Sequence, residues 1–90
     1  MRESQIEQKL TEKVKAKGGA SIKLVSPSSV GLPDRLVLLP GGKLGFVELK
    51  APGKKPRQIQ IYWLEKLRAL GFFAEVVDSL EGIDPVLEKL

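Results

Sequence analysis

The sequence predicts an α/β domain in which one mixed sheet is flanked by helices, in the order αβββαβ with a short helix at the end. Three observations carry this. Ile6, Leu10 and Val14 repeat every fourth position near the start, the spacing of an amphipathic helix. The run from Asp34 to Leu39 is nearly all apolar and is followed by Pro40-Gly41-Gly42 and a second apolar run, the pattern of two strands joined by a tight turn. Gln60, Leu64, Leu67 and Gly71 then return to helical spacing before the strand-like stretch from Phe72 to Asp78.

In order, Glu3 to Lys17 is the first helix, ended by Gly18-Gly19. Ser21 to Val25 is a short strand, and Ser26 to Leu32 is a loop rich in Ser, Pro and Gly. The second strand runs from Asp34 to Leu39 and the third from Leu44 to Lys50. A basic loop, Ala51 to Pro56, leads to a helix from Arg57 to Leu70 that Gly71 stops. The fourth strand spans Phe72 to Asp78, and Ser79 is placed to cap a last helix carrying Leu80, Ile83, Val86, Leu87 and Leu90.

The 90 residues make a single domain, 1–90, with a small core that burial against a second copy would help. Neither cysteine nor histidine is present. Disulfides, thiolate or imidazole zinc sites, Cys nucleophiles and Ser-His-Asp chemistry are therefore excluded. Any acid–base or metal chemistry must use Asp, Glu, Lys and Tyr. The net charge of +4 suits a nucleic-acid partner without requiring one. No apolar run approaches the ~20 residues of a membrane span, and the charged N-terminus is unlike a signal peptide. A cytoplasmic location is expected.

The chemistry begins on the third strand. Alternation puts Glu48 and Lys50 on one face with Leu44 and Phe46, and Val47 and Leu49 on the other. Alone, such a Glu-x-Lys is a solvated ion pair at a strand end, and Asp34 alone is a turn-capping aspartate. Together they say more. The tight turn makes the second and third strands antiparallel neighbours, which brings Asp34 near the Glu48–Lys50 end. A symmetric two-residue turn at Gly41-Gly42 would set Asp34 opposite Leu49, on the wrong face. The connection must therefore hold an odd number of residues or a bulge, and a bulge is expected at Gly41-Gly42.

Two neighbouring carboxylates repel unless a cation lies between them. Asp34, Glu48 and the backbone carbonyl of Leu49 form a hard oxygen set suited to Mg²⁺ or Mn²⁺. Such an ion polarises a phosphate and acidifies water, and Lys50 is placed to orient that water and stabilise developing charge. On the first helix, Glu7 and Glu3 fall within or beside the apolar stripe. Glu7, deeper in the helix, is preferred over Glu3 as a further metal or water ligand, a salt bridge to a lysine being the alternative for either. Gln60 points inward at the start of the second helix and needs a partner, which is a catalytic carboxylate, a water, a phosphate or the Ala51–Pro56 loop, whereas Gln58 faces solvent. Lys54, Lys55 and Arg57 at that helix N-terminus, with Lys23 and Ser26 near Asp34, are candidate DNA-backbone contacts. Tyr62 projects toward solvent or a partner, and Trp63 is expected in the core.

The segments Gly31-Leu32-Pro33-Asp34 and Phe46-Val47-Glu48-Leu49-Lys50-Ala51-Pro52-Gly53-Lys54, followed by Arg57, Gln60 and Trp63-Leu64, resemble the VRR-NUC domain of the PD-(D/E)XK nuclease superfamily. The resemblance runs from the first helix through the fourth strand. It implies a restriction-endonuclease-like core and Mg²⁺- or Mn²⁺-dependent endonuclease activity. It implies Asp34 and Glu48 as metal ligands, Lys50 as the catalytic lysine, Gln60 as the helix-borne glutamine, and Glu7 or Glu3 as the first-helix glutamate. With no room for added DNA-binding domains, the chain looks like the standalone phage type, acting in a bacterial host cell. Similar standalone members act as homodimers on branched DNA such as Holliday junctions. Two scissile bonds on opposite strands also need two active sites, which a twofold dimer presents. Tyr62 and Phe72 are candidate interface residues.

Overall fold

A computed structural model describes residues 1–90. Seven elements follow one another: α1 (Glu3–Ala16), β1 (Ala20–Lys23), β2 (Arg35–Leu39), β3 (Lys43–Leu49), α2 (Gln58–Ala69), β4 (Phe73–Val77) and α3 (Ile83–Lys89). The strands form one sheet in the order β1-β2-β3-β4. The first three are antiparallel, and β4 runs parallel to β3. A parallel neighbour requires a crossover, and α2 supplies it. The predicted αβββαβ order with a terminal helix is the architecture observed.

Each face of the sheet buries its own helices. On one face, Ile6, Leu10 and Val14 of α1 meet Val37, Val47, Leu49 and Val77, with Ile83, Val86 and Leu87 of α3 completing the cluster. On the other, Leu64 and Leu67 of α2 pack on Ala74, with Phe46 and Val76 beside them. Alternation along β3 therefore sends Val47 and Leu49 toward α1 and sends Phe46 and Glu48 toward α2.

The β2–β3 turn fixes the register. Leu39 pairs with Lys43 and the ladder runs unbroken, so the odd three-residue connection Pro40-Gly41-Gly42 supplies the register in place of the expected bulge. Gly41 and Gly42 take φ of +89° and +74°, left-handed values that a side chain would resist. Arg35 pairs with Val47, and one step further along the same register Asp34 comes opposite Glu48.

Two boundaries shift by more than one residue, and one side chain is placed differently from expectation. β1 ends at Lys23, although Leu24 N–H still donates to the Asp34 carbonyl at 2.9 Å. α3 begins at Ile83, and Ser79 Oγ accepts the Gly82 N–H at 3.0 Å in the turn before it. Leu80 consequently packs on the core from that turn and not from the helix. Trp63 is half-buried and meets Tyr62 edge-on at 5.6 Å between ring centroids, outside both core clusters. Its indole is too large to follow Leu64 and Leu67 under α2 while keeping its N–H solvated.

Candidate active site

The end of β3 toward Leu49 carries a carboxylate where the strand pattern demands an apolar side chain. Glu48 is 1% exposed. Its Oε2 accepts a hydrogen bond from Gln60 Nε2 at 2.9 Å and lies 3.3 Å from Lys50 Nζ. Its Oε1 is buried and has no hydrogen-bond partner. Burial, and after it the neighbouring charge of Asp34, lifts the Glu48 carboxyl from its usual 4.5 to about 7, against the opposing pull of Lys50.

Asp34 is set by Pro33, whose side chain is fully buried and fixes the chain's entry into β2. Asp34 Oδ2 accepts the Leu49 N–H at 2.9 Å. That donor lies beyond the last residue pair of the β2–β3 ladder, so the carboxylate replaces a missing strand carbonyl.

Gln60 is buried at 7% exposure, in the first turn of α2. Its Oε1 accepts the Arg57 N–H at 2.8 Å, satisfying the N-cap donor at the helix start. Because that oxygen faces a donor, the amide nitrogen must face Glu48. Of the partners considered for an inward glutamine, the site carboxylate is the one engaged, and the second bond goes to the helix N-cap residue and not into the Ala51–Pro56 loop. Gln58 is exposed, as its position on the helix required.

The first-helix glutamates are not part of this cluster. Asp34 and Glu48 are joined by no third acidic side chain. Glu7 Oε2 instead accepts from Arg35 Nη2 at 3.0 Å and Nε at 3.2 Å, and Arg35 Nη1 donates to the Ser21 carbonyl at 3.2 Å. The reason is topological. α1 covers the face of the sheet opposite Glu48, and Arg35, odd in the β2 alternation, points to that face. The salt bridge considered for Glu7 forms, with arginine and not lysine, and Glu3 is exposed. Arg35 was given no role from sequence. The signal was present: a cation on the β2 face that meets the Ile6–Leu10–Val14 stripe needs a carboxylate there.

Around the acidic pair, Asp34 and Gln60 also line a cleft of about 240 Å³ with Ser26, Ser29, Val30 and Arg57. Of the basic candidates, Lys23, Lys54, Lys55 and Arg57 are exposed, and Arg57 alone borders this cleft.

A mixed sheet with α2 as the β3–β4 crossover, ending in Pro33-Asp34 and Glu48-Leu49-Lys50, defines the restriction-endonuclease-like, PD-(D/E)XK class. No family model matches the chain. It is 49% identical over 79 residues to "Putative nuclease p44" of Acyrthosiphon pisum secondary endosymbiont phage 1, covering 88% of this chain and 85% of that protein. A solved structure described as a VRR_NUC domain superposes with a TM-score of 0.89 at 34% identity, over 96% of this chain and 94% of that one. The chain belongs to the VRR-NUC family.

Proposed function

We propose that the protein is a divalent-metal-dependent DNA endonuclease acting on branched DNA as a homodimer. One observation carries the metal dependence: Glu48 Oε1 is buried beside a second carboxylate with no partner. A buried acceptor left unsatisfied is costly, and two carboxylates in contact are costlier. A hard dication relieves both at once, and Asp34 and Glu48, with the Leu49 carbonyl, would hold it. Mg²⁺ and Mn²⁺ both match this oxygen set. When bound, such an ion supplies Lewis-acid polarisation of the phosphate and lowers the pKa of water.

The chain's own residues do the rest. Gln60 Nε2 and Lys50 Nζ hold Glu48 Oε2, so the free oxygen is presented in one orientation. Lys50 keeps a side chain 15% exposed, enough to reach a water or a phosphate oxygen while anchored on Glu48. Its charge opposes the negative charge that develops on the phosphate during hydrolysis. Arg57, Lys54, Lys55, Lys23 and Ser26 provide backbone contacts, which position DNA without reading its sequence.

Support for a dimer comes from the sheet. α2 covers β3 and β4, and Ile22 and Leu44 are left 43% and 37% exposed on the same face of β1 and β3. Leu36 and Leu38 extend that apolar strip, and Phe72, 46% exposed, stands at its edge against Phe46. A second copy laid on this face would cover it and set two sites on one surface, matching the two strands cut in a junction.

The test is cleavage of labelled four-way junction, flap, duplex and single-stranded DNA with Mg²⁺ or Mn²⁺, with Glu48→Gln beside the wild type. Paired nicks in the junction that vanish in the variant are expected. Binding without cleavage under every metal condition would replace this reading with a DNA-binding module, and a monomer by light scattering with and without DNA would reject the dimer.

A further inference from the structure

The segment from Leu24 to Asp34 makes one wall of the cleft at the site, and it is a held wall. Leu24 N–H reaches the Asp34 carbonyl at 2.9 Å, closing the segment at its base. Gly31 has φ of +99° and lies so close to α2 that a Cβ there would come within 2.7 Å of the Ile59 side chain. Only glycine permits this approach, and it pins the loop to the helix that carries Gln60. The consequence is the placement of Val30, which stands 62% exposed on the cleft wall. An apolar side chain held in solvent in a cleft shared with Asp34 and Arg57 has no packing role in the fold.

The cleft's size and lining restrict what enters. About 240 Å³ is less than the ~300 Å³ at which pockets for drug-sized ligands begin, and it suits one nucleotide unit. Ser26 and Ser29 offer hydroxyls to a sugar or base edge, Arg57 offers a cation to a phosphate, and Val30 offers an apolar surface to a base face. Asp34 and Gln60 belong to both cleft and reaction site, so an occupant lies next to the bond that is cut.

We propose that this cleft takes one unpaired nucleotide adjacent to the scissile phosphate, with Val30 as the contact that selects it. The inference rests on the DNA-cleaving reading for its substrate. It also says how branched DNA would be told from duplex. Extracting a paired base costs stacking and pairing, and an unpaired base at a branch or bulge costs least.

The test is binding, measured by fluorescence anisotropy in Mg²⁺, of two labelled duplexes that differ by one bulged nucleotide. The protein is the full chain carrying Glu48→Gln, so that neither DNA is cut. On the order of tenfold tighter binding of the bulged duplex is expected. Adding Val30→Glu should bring that ratio to about one. Adding Val25→Glu makes the same charge change on the same loop outside the cleft, at a residue 79% exposed, and should weaken both duplexes alike while keeping the ratio. Equal affinities before any loop substitution, or equal loss of preference in both loop variants, would overturn the inference. Wild-type protein on the four-way junction and flap with Mg²⁺ or Mn²⁺ separates the two readings: no cleavage there with the bulge preference intact would reject the nuclease and leave the nucleotide cleft standing.

Discussion

Replacing Glu48 by glutamine should stabilise the metal-free protein at alkaline pH and leave it nearly unchanged in acid. The carboxyl is lifted from 4.5 to about 7 by burial and by Asp34. Between those values the folded chain holds a proton that the unfolded chain has released, so stability falls as pH rises through the interval and is level above it. At about 1.4 kcal/mol per pH unit, the interval amounts to about 3 kcal/mol. Glutamine keeps the shape and the acceptor for Gln60 Nε2 without the charge. Urea unfolding in EDTA, wild type against Glu48→Gln, should show a difference near zero at pH 4.5 that grows to about 3 kcal/mol in favour of the variant by pH 8. Titrations common to both proteins cancel in that difference. Parallel pH profiles would refute the account, since they would mean that the buried carboxylate is ionised at no cost. A divalent ion at saturation should restore the wild type selectively, by about 3 kcal/mol at a hundredfold excess over Kd, and the affinity for that ion should fall as pH drops below 7 because a proton must leave.

Other substitutions separate the roles of the remaining residues. Asp34→Asn should remove metal-dependent cleavage while keeping DNA binding, read by gel shift beside the nicking assay; loss of binding alone would contradict its role. Lys50→Ala should lower the single-turnover rate by roughly 10²-fold or more with metal affinity by calorimetry little changed. Lys55→Ala should weaken binding of every DNA and reduce the slope of log affinity against log salt by about 1, and an unchanged slope would take Lys55 off the phosphate path. Leu10→Ala, at a fully buried position, should cost about 2–5 kcal/mol in urea unfolding, and a smaller loss would show that α1 can close over the gap.

Much of this was legible because strand chemistry is local. Alternation alone paired Glu48 with Lys50, and the demand that Asp34 share their face ruled out a symmetric two-residue turn, although it is an odd connection and not a bulge that meets it. Gln60 could be aimed inward because Leu64 and Leu67 share its stripe. Glu7 failed for a non-local reason. Helical periodicity tells which residues face the sheet but not which face of the sheet the helix covers, and α1 covers the one away from Glu48. The partner of Glu7 is 28 residues distant, and only the assembled β1–β2 register brings Arg35 under α1. The Val30 cleft was equally hidden, since it depends on the approach of Gly31 to Ile59 across two segments unrelated in spacing.

The opposition of Glu7 and Glu48 across the sheet also explains how the end of β2 is held. Asp34 and Arg35 are adjacent and point to opposite faces, one bonded to Leu49 on β3 and the other to Glu7 on α1. The start of β2 is therefore fixed from both sides by charge-assisted bonds at the point where backbone pairing stops. Gln60 does the same for α2, tying the helix start through the Arg57 N–H to Glu48 on β3. Each candidate catalytic carboxylate is thus oriented by a group on a different element, and each of those elements is held by a separate contact. A site that keeps two carboxylates together needs such supports, because repulsion would otherwise turn one of them outward.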